Sequence, residues 1–235
     1  MFLPQASFAA QGDYVVLLHG IARTKGSMEG MGEALSQKGY VVINIDYESR
    51  KKKIEDLIVD IRKEIVKNHI PEAKKINFIG HSMGGLIIRA YINKYRPENI
   101  GRVVMLGTPN QGSEVADFLA DNTLYRSFYG PAGQELITDQ SDFKKIFGEV
   151  DYELGVIAGN CTVDPVSSFI IPGDDDGKVA IARTRIKGMK DHIILCATHS
   201  FMPGNKQVKR QAEYFLEHGK FRRKIKGSEK PHADL

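Results

Sequence analysis

Short apolar runs alternate with segments whose apolar residues recur at helical spacing from Tyr14 onward. Buried parallel strands read as continuous apolar runs, and amphipathic helices carry one apolar stripe. The predicted strands are Tyr14–Leu18, Tyr40–Ile45, Lys75–Ile79, Arg102–Leu106, Tyr152–Ala158 and His192–Ala197. The alternation predicts an α/β fold, in which helices cover both faces of a mostly parallel sheet.

Four helices are predicted between these strands and after the last one. The first begins near Ser27 and ends before Gly39, and a later one ends before Pro97. The last helix spans about Lys206 to His218. The second helix carries a core stripe of Ile54, Leu57, Ile58, Ile61 and Ile65.

The segment from about 113 to 149 breaks the alternation, because it mixes aromatic and polar residues without a strand signal. We interpret it as a short helical insertion or lid within a single domain spanning 1–235. Lys and Arg (33) exceed Asp and Glu (29) by four, and part of this surplus lies in a basic tail at about 220–235. A solvated tail is favoured there over a patch that binds nucleic acid or a membrane.

Length and composition support one globular domain, with 235 residues and 42% hydrophobic content. No apolar run approaches the roughly 20 residues that a membrane span needs, so stable membrane insertion is not expected. The first residues lack a basic n-region, although Ser7-Phe8-Ala9 resembles the end of a trimmed secretory leader. The compartment stays open, with cytoplasmic as the default, and the oligomeric state is not determined.

The two cysteines, Cys161 and Cys196, are too few for a disulfide framework and lack a Cys-x-x-Cys pattern. Two buried thiols are the favoured interpretation. Both residues fall near the ends of predicted strands that could be neighbours, so a disulfide remains open. A catalytic thiol is the least favoured alternative.

The strongest chemical signal is Gly80-His81-Ser82-Met83-Gly84, which follows a predicted strand and opens a predicted helix. In that context the Gly-x-Ser-x-Gly pattern is typical of a nucleophile elbow, with the serine hydroxyl at the carboxyl edge of the sheet. The alternative is a glycine-rich turn without chemistry or a phosphate loop. The phosphate-loop Gly-Lys-Ser/Thr spacing is absent, so Ser82 is the predicted nucleophile.

A serine hydroxyl needs a base, which is most often a histidine oriented by a carboxylate. Of the seven histidines, only His199 directly follows the last predicted strand, at the edge where Ser82 emerges. The alternative for His199 is a surface-loop residue. The others are disfavoured by position, near helix ends, in the tail, before a strand or within the motifs: His69, His218, His232, His192, His81 and His19.

The chain order Ser, Asp/Glu, His predicts an acid between the penultimate strand and His199. The segment after that strand contains three adjacent candidates, Asp174, Asp175 and Asp176. Asp176 is preferred, because the following Gly177 favours a turn that aims Asp176 inward. A solvated turn or a cation site is the alternative for this cluster, and Asp164 is an outside candidate.

An oxyanion needs preorganised donors. The backbone N–H of Met83, just after the nucleophile, is one candidate. The second is the N–H of Ile21, because His19-Gly20-Ile21 follows the first predicted strand. The alternative for His19-Gly20 is an ordinary strand-ending turn.

Together these residues resemble the small bacterial lipase and esterase group of α/β-hydrolases. The matching motifs are His19–Ile21, Gly80–Gly85, Gly107–Ser113, Asp176-Gly177 and His199. The resemblance implies a parallel sheet of the eight-stranded type without its first strands, and no cofactor. It also implies a Ser82–His199–Asp176 triad with Ile21 and Met83 as oxyanion donors.

One feature of that group is missing. Several of these lipases bind a structural calcium through an aspartate shortly after the catalytic histidine, whereas His199 is followed by Ser200-Phe201-Met202. We therefore expect no such calcium and no metal site.

The predicted function is hydrolysis of a carboxylic ester through an acyl-enzyme, with a small acyl ester or lipid as the substrate. Apolar residues of the insertion favour an acyl chain as the recognised group, and the core of the lid is the equally weighted alternative for them: Phe118, Leu119, Tyr125, Phe128 and Tyr129. An amidase, a thioesterase or an acyltransferase would use the same triad. A binding protein that kept the fold without turnover is the alternative from another class.

Overall fold

The computed structural model describes residues 12–112, 131–132, 143–162 and 171–223. Within these ranges six strands form one sheet with the order β2-β1-β3-β4-β5-β6, and each neighbouring pair is parallel. The strands are β1 (Tyr14–Leu18), β2 (Val41–Ile45), β3 (Ile76–His81), β4 (Ile100–Leu106), β5 (Leu154–Gly159) and β6 (Asp191–Leu195). The predicted parallel sheet is confirmed.

Helices pack on both faces of the sheet, as predicted. They are α1 (Glu29–Ser36), α2 (Ile54–Lys67), α3 (Met83–Tyr95), α4 (Phe143–Phe147), α5 (Ile181–Thr184) and α6 (Lys206–His218), with 3₁₀ turns at Lys25–Met28 and His199–Gly204. Helices α2 and α3 contribute to the apolar core on one face, and α1 and α6 contribute to the core on the other. Strand β3 at the centre is buried along its whole length.

Local sequence explains where these elements begin and end. The isoleucine and leucine stripe of α2 is buried as predicted. Asn205 caps α6, because its side-chain oxygen accepts hydrogen bonds from the N–H groups of Gln207 (2.8 Å) and Val208 (3.3 Å). Gly219 ends the helix in a left-handed conformation, with φ of 67°. The predicted bounds of this last helix match the structure.

The last strand differs from its prediction. It runs from Asp191 to Leu195, so His192 is the second residue of the strand and does not precede it. His192 pairs with Val156 of β5 and is half-buried, and this burial lowers its pKa to about 4. His192 still lies near the amino-terminal edge of the sheet, because it is close to the start of β6 and the strands all run in the same direction.

The two cysteines form a disulfide, so the favoured interpretation of separate buried thiols was wrong. Cys161 and Cys196 have Cα atoms 5.0 Å apart. They lie just after β5 and β6, and these strands are neighbours in the sheet. The bond therefore ties two adjacent loops at the carboxyl edge of the sheet.

Most of the predicted insertion at 113–149 lies outside the described residues, including the aromatic residues from Phe118 to Tyr129. Its end is described: Phe147 of α4 is buried, and the Arg89 guanidinium donates to the Gly148 carbonyl at 3.1 Å. The tail from 224 onward also lies outside, so the domain boundaries stay a prediction. Among the described helices, none has the length and apolar character needed to cross a membrane.

Candidate active site

The predicted site residues meet at one edge of the sheet. Ile21, Ser82 and His199 follow β1, β3 and β6, and Asp176 lies in the segment between β5 and β6. Because parallel strands end at the same edge, residues far apart in sequence become neighbours there. Binding sites of open α/β sheets lie at this edge.

Ser82 connects β3 to α3 through an uncommon backbone conformation, with φ of 53° and ψ of −124°. A non-glycine residue at positive φ costs about 1–3 kcal/mol, so it persists only where its surroundings enforce it. The Ser82 N–H donates to the Leu106 carbonyl at 2.8 Å, and the Thr108 hydroxyl donates to the Ser82 carbonyl at 3.0 Å. The last residue of β4 and the loop that follows it thus hold the strained turn on both sides.

Two glycines of the motif permit the close approach of strand and helix. A Cβ on Gly80 would lie 2.5 Å from the Gly85 nitrogen, and a Cβ on Gly84 would lie 2.6 Å from the His19 carbonyl oxygen. Real Cβ contacts are longer than these distances, so neither position accepts a side chain without displacing backbone. The spacing of glycines around Ser82 is therefore a packing requirement of the turn.

A continuous chain of hydrogen bonds joins three of the predicted residues. His199 Nε2 lies 2.9 Å from Ser82 Oγ, and His199 Nδ1 lies 2.7 Å from Asp176 Oδ2. A carboxylate only accepts hydrogen bonds, so Nδ1 carries a hydrogen and Nε2 presents its lone pair to the serine hydroxyl. This arrangement can accept the Ser82 proton.

Of the three adjacent aspartates, Asp176 is the one that contacts His199. Its side chain is 1% exposed, and its second oxygen accepts the backbone N–H groups of Lys178 at 3.1 Å and Val179 at 2.9 Å. Gly177 has φ of 94° and turns the chain back on itself. Asp175 instead accepts the N–H of Gly177 at 2.6 Å, and Asp174 is exposed. Asp164 lies outside the described residues.

His81 has a contact that the sequence did not predict. Its Nε2 donates to the His199 carbonyl at 2.9 Å, and the two imidazole rings are 5.0 Å apart. The side chain is buried, and this burial, reinforced by nearby His199, holds the pKa of His81 well below its usual value. A neutral His81 therefore supports the backbone of His199. Its position next to Ser82 was the only signal in the sequence.

The two predicted oxyanion donors belong to segments that adjoin the serine. Met83 is the first residue of α3, and the first N–H groups of a helix have no partner within the helix. Gly20, before Ile21, packs so closely on the turn that a Cβ there would lie 3.3 Å from Ser82 Cβ. The helix N-terminus also favours negative charge near Ser82.

The described residues contain no group of three or more His, Cys, Asp or Glu arranged to hold a metal ion. The absence of a structural calcium remains a prediction, because part of the chain is not described.

Comparison with known proteins identifies the family. The palmitoyl protein thioesterase family matches residues 14–150, which is more than half of the chain. The chain belongs to this family. The match contains the elbow and the loop after β1, whereas Asp176 and His199 lie beyond it. Membership in the palmitoyl protein thioesterase family is consistent with the resemblance to bacterial lipases and esterases.

Bacterial lipases are similar to shorter parts of this palmitoyl protein thioesterase family member. A triacylglycerol lipase of Pseudarthrobacter phenanthrenivorans is 49% identical over 49 residues, which are 21% of this chain and 15% of the lipase. A triacylglycerol lipase of Vibrio cholerae is 32% identical over 113 residues, which are 45% of this chain and 35% of the lipase. The chain thus spans well under half the length of these two relatives.

A solved structure shows the fold over most of the chain. The mature form of the Bacillus licheniformis lipase BlEst2 superposes with a TM-score of 0.71 at 19% sequence identity. The match covers 88% of this chain and 92% of the lipase. The predicted α/β-hydrolase fold is confirmed.

Proposed function

We propose that this protein is a serine hydrolase that cleaves carboxylic esters through an acyl-enzyme on Ser82. The observation that carries the proposal is the hydrogen-bond chain from Ser82 Oγ through His199 to Asp176, with distances of 2.9 and 2.7 Å. The lipases similar to parts of the chain support an ester as the substrate.

In the proposed first step His199 Nε2 takes the Ser82 proton while Oγ bonds to the carbonyl carbon of the ester. The carbonyl oxygen becomes an oxyanion, which the N–H groups of Ile21 and Met83 stabilise. The oxyanion then collapses, the bond to the leaving alcohol breaks, and His199 donates its proton to that alcohol. Asp176 keeps the imidazole in the required tautomer and stabilises its positive charge.

Water completes the proposed cycle. The water oxygen bonds to the acyl carbon while His199 takes a proton from the water, and the Ser82–acyl bond then breaks. The acid leaves, and Ser82 recovers its proton. No cofactor enters any of these steps, because every proton transfer occurs between the substrate, water, Ser82 and His199.

A thioester is the second candidate substrate, and family membership favours it. Thioesters and oxygen esters share the carbonyl group and differ in the leaving atom. The same nucleophile, base and oxyanion donors therefore serve both reactions, and sensitivity to the leaving group distinguishes them. An amide would need stronger protonation of its leaving nitrogen by His199.

The test uses p-nitrophenyl esters of graded chain length and acyl thioesters with matched acyl chains. We expect turnover of at least one series, and labelling of Ser82 by a fluorophosphonate. Ser82→Ala should abolish both. Ser36→Ala is the matched control, because Ser36 is exposed at the end of α1 and should keep full activity.

The outcomes separate the candidates. A higher kcat/KM for thioesters than for oxygen esters of equal chain length would replace the ester proposal with the thioesterase. A folded wild type that turns over neither series and does not react with the fluorophosphonate would overturn both, and would favour a binding protein with this fold.

A further inference from the structure

A short segment after β2 contacts the loop that supplies one proposed oxyanion donor. This segment, Tyr47–Ser49, is called the strap below, and the loop His19–Ala22 is called the oxyanion loop. Strands β1 and β2 pair in parallel, with Leu18 opposite Ile45, so the chain leaves both strands side by side. The strap therefore lies against the oxyanion loop.

Tyr47 contacts the first residue of the oxyanion loop in three ways. Its hydroxyl donates to the His19 carbonyl, and its backbone N–H donates to His19 Nε2 at 3.4 Å. The two rings stack with centroids 4.0 Å apart and an angle of 9° between their planes. The Tyr47 hydroxyl thus holds the backbone of the oxyanion loop, while the Tyr47 ring packs against the His19 imidazole.

His19 then links the strap to Gly20. Its Nδ1 lies 2.8 Å from the Gly20 carbonyl, which can only accept, so Nδ1 carries a hydrogen, while Nε2 lies 3.4 Å from the Tyr47 nitrogen and 3.3 Å from Asp46 Oδ1. His19 is fully buried, and this burial lowers its pKa, although the Gly20 carbonyl and the Asp46 carboxylate act in the opposite direction. The side chain of His19 therefore contacts both the strap and the backbone of the oxyanion loop.

Ser49 holds the other end of the oxyanion loop. Its hydroxyl oxygen accepts the N–H of Ala22 at 3.1 Å, and the Ser49 side chain is buried. Ala22 has φ of 56°, a conformation that L residues rarely adopt. Such strain persists only where neighbouring groups enforce it. The Ser49 N–H donates to the Tyr47 carbonyl at 2.8 Å, so the strap itself is a tight turn.

The strap thus fixes the loop on both sides of Ile21. The loop is also pressed on the elbow from the other direction, since a Cβ on Gly84 would lie 2.6 Å from the His19 oxygen. Held between the strap and α3, the Ile21 peptide has little freedom to rotate. Oxyanion stabilisation requires such preorganised donors.

The geometry points to Tyr47 and Ser49 as positioning residues that orient the Ile21 N–H toward the oxyanion formed at Ser82. This inference rests on the proposed function. Neither residue contacts the reacting atoms, and their effect passes through the backbone of the loop. Their removal should weaken transition-state stabilisation more than substrate binding, which lowers kcat with little change in KM.

The variants are Tyr47→Phe, which keeps the ring stack, and Ser49→Ala, which removes the acceptor of the Ala22 N–H. Ser49→Thr is the conservative variant and keeps the hydroxyl. Tyr214→Phe is the matched control, because Tyr214 also stacks on a histidine, His218, with centroids 4.0 Å apart, but on α6. Circular dichroism and thermal melts confirm that each variant is folded.

The decisive readout compares an ester with its thionoester, in which sulfur replaces the carbonyl oxygen. Donors set for an oxyanion bond poorly to the larger sulfur, so a preorganised site prefers the oxygen substrate. We expect Tyr47→Phe and Ser49→Ala each to lower kcat for the oxygen ester about tenfold, with KM changed less than about twofold, and to lower the oxygen-to-sulfur preference. Ser49→Thr should restore both, and Tyr214→Phe should change neither.

If the wild type is active and the folded Tyr47→Phe and Ser49→Ala variants keep both kcat and the oxygen preference, the role of the strap is overturned. The proposed function would then still stand. A fall in kcat with an unchanged oxygen preference would also overturn the role of the strap, because general loosening affects both substrates equally. A wild type without turnover and without fluorophosphonate labelling would overturn the proposed function, and the strap with it.

Discussion

The two sides of the candidate site are built differently. The Ser82 side is a single turn between adjoining elements, β3 and α3, and backbone packed against glycine holds it. The other side brings together Asp176 and His199, which are 23 positions apart, in segments outside the regular strands. Hydrogen bonds join the two side chains there, the disulfide ties the adjacent loops, and glycine packing contributes as well, since a Cβ on Gly159 would lie 2.8 Å from Asp176 Cβ.

Steric packing and polar contacts act on both sides, but the Ser82 turn depends more on packing and the Asp176–His199 pair depends more on hydrogen bonds. A methyl group at Gly80 or Gly84 has no space, so a side chain at either position would displace the backbone of the turn. Around Asp176 the position depends on three acceptor contacts and on the backbone bond from the His199 N–H to the Asp176 carbonyl at 2.8 Å. We expect polar substitutions to impair chemistry there before they impair folding.

The largest expected effect is on the acid. Asp176→Asn should lower kcat about 10⁴-fold, because an amide in place of the carboxylate favours the wrong tautomer of His199. The free energy of unfolding, measured by urea denaturation, should change by less than about 2 kcal/mol. Asp174→Asn is the matched control, since Asp174 is exposed. Equal loss of activity in both variants would remove Asp176 from its proposed role.

The next effect tests the packed side. Gly84→Ala should destabilise the protein by more than about 4 kcal/mol, because its methyl group would overlap the His19 carbonyl of a buried loop. Gly26→Ala is the control, where a Cβ would meet only Thr24 at 3.4 Å and Glu29 at 3.8 Å. Soluble Gly84→Ala protein with an unchanged urea midpoint would contradict steric control of the elbow.

The smallest effect tests the cross-linked side. Replacing Cys161 and Cys196 by serine removes a bond between residues 35 positions apart, and should lower the free energy of unfolding by about 2–4 kcal/mol. Urea denaturation without reductant measures this change, and wild type in dithiothreitol should match the variant. Equal midpoints for oxidised wild type and the variant would show that the hydrogen bonds suffice.

The elbow and the alternation of strands and helices along the chain were predictable because their signals are local. Gly80, Ser82 and Gly84 lie within one motif between an apolar run and a helical stripe, and the close approach of strand and helix requires these glycines. The predicted bounds of the last helix match the structure, where the Asn205 side chain caps its start and Gly219 ends it, both acting on adjacent residues.

Contacts between distant segments were harder to predict. The hydrogen bond from His81 to the His199 carbonyl joins positions 118 apart, and no pattern in either segment signals it. The strap was missed for the same reason, since Tyr47 and Ser49 meet the oxyanion loop only because β1 and β2 pair in register. The pairing of the cysteines likewise followed from the neighbourhood of β5 and β6.

The sequence by itself determined the alternation of strands and helices, the elbow at Ser82 and the carboxyl-edge position of His199, because each depends on periodicity or on a few adjacent residues. The tertiary structure alone decided that Asp176 faces His199 and that Asp174 stays exposed. It also decided that the cysteines pair and that Tyr47 and Ser49 hold the oxyanion loop. The physical reason is that side-chain direction in irregular segments depends on which distant elements pack against them.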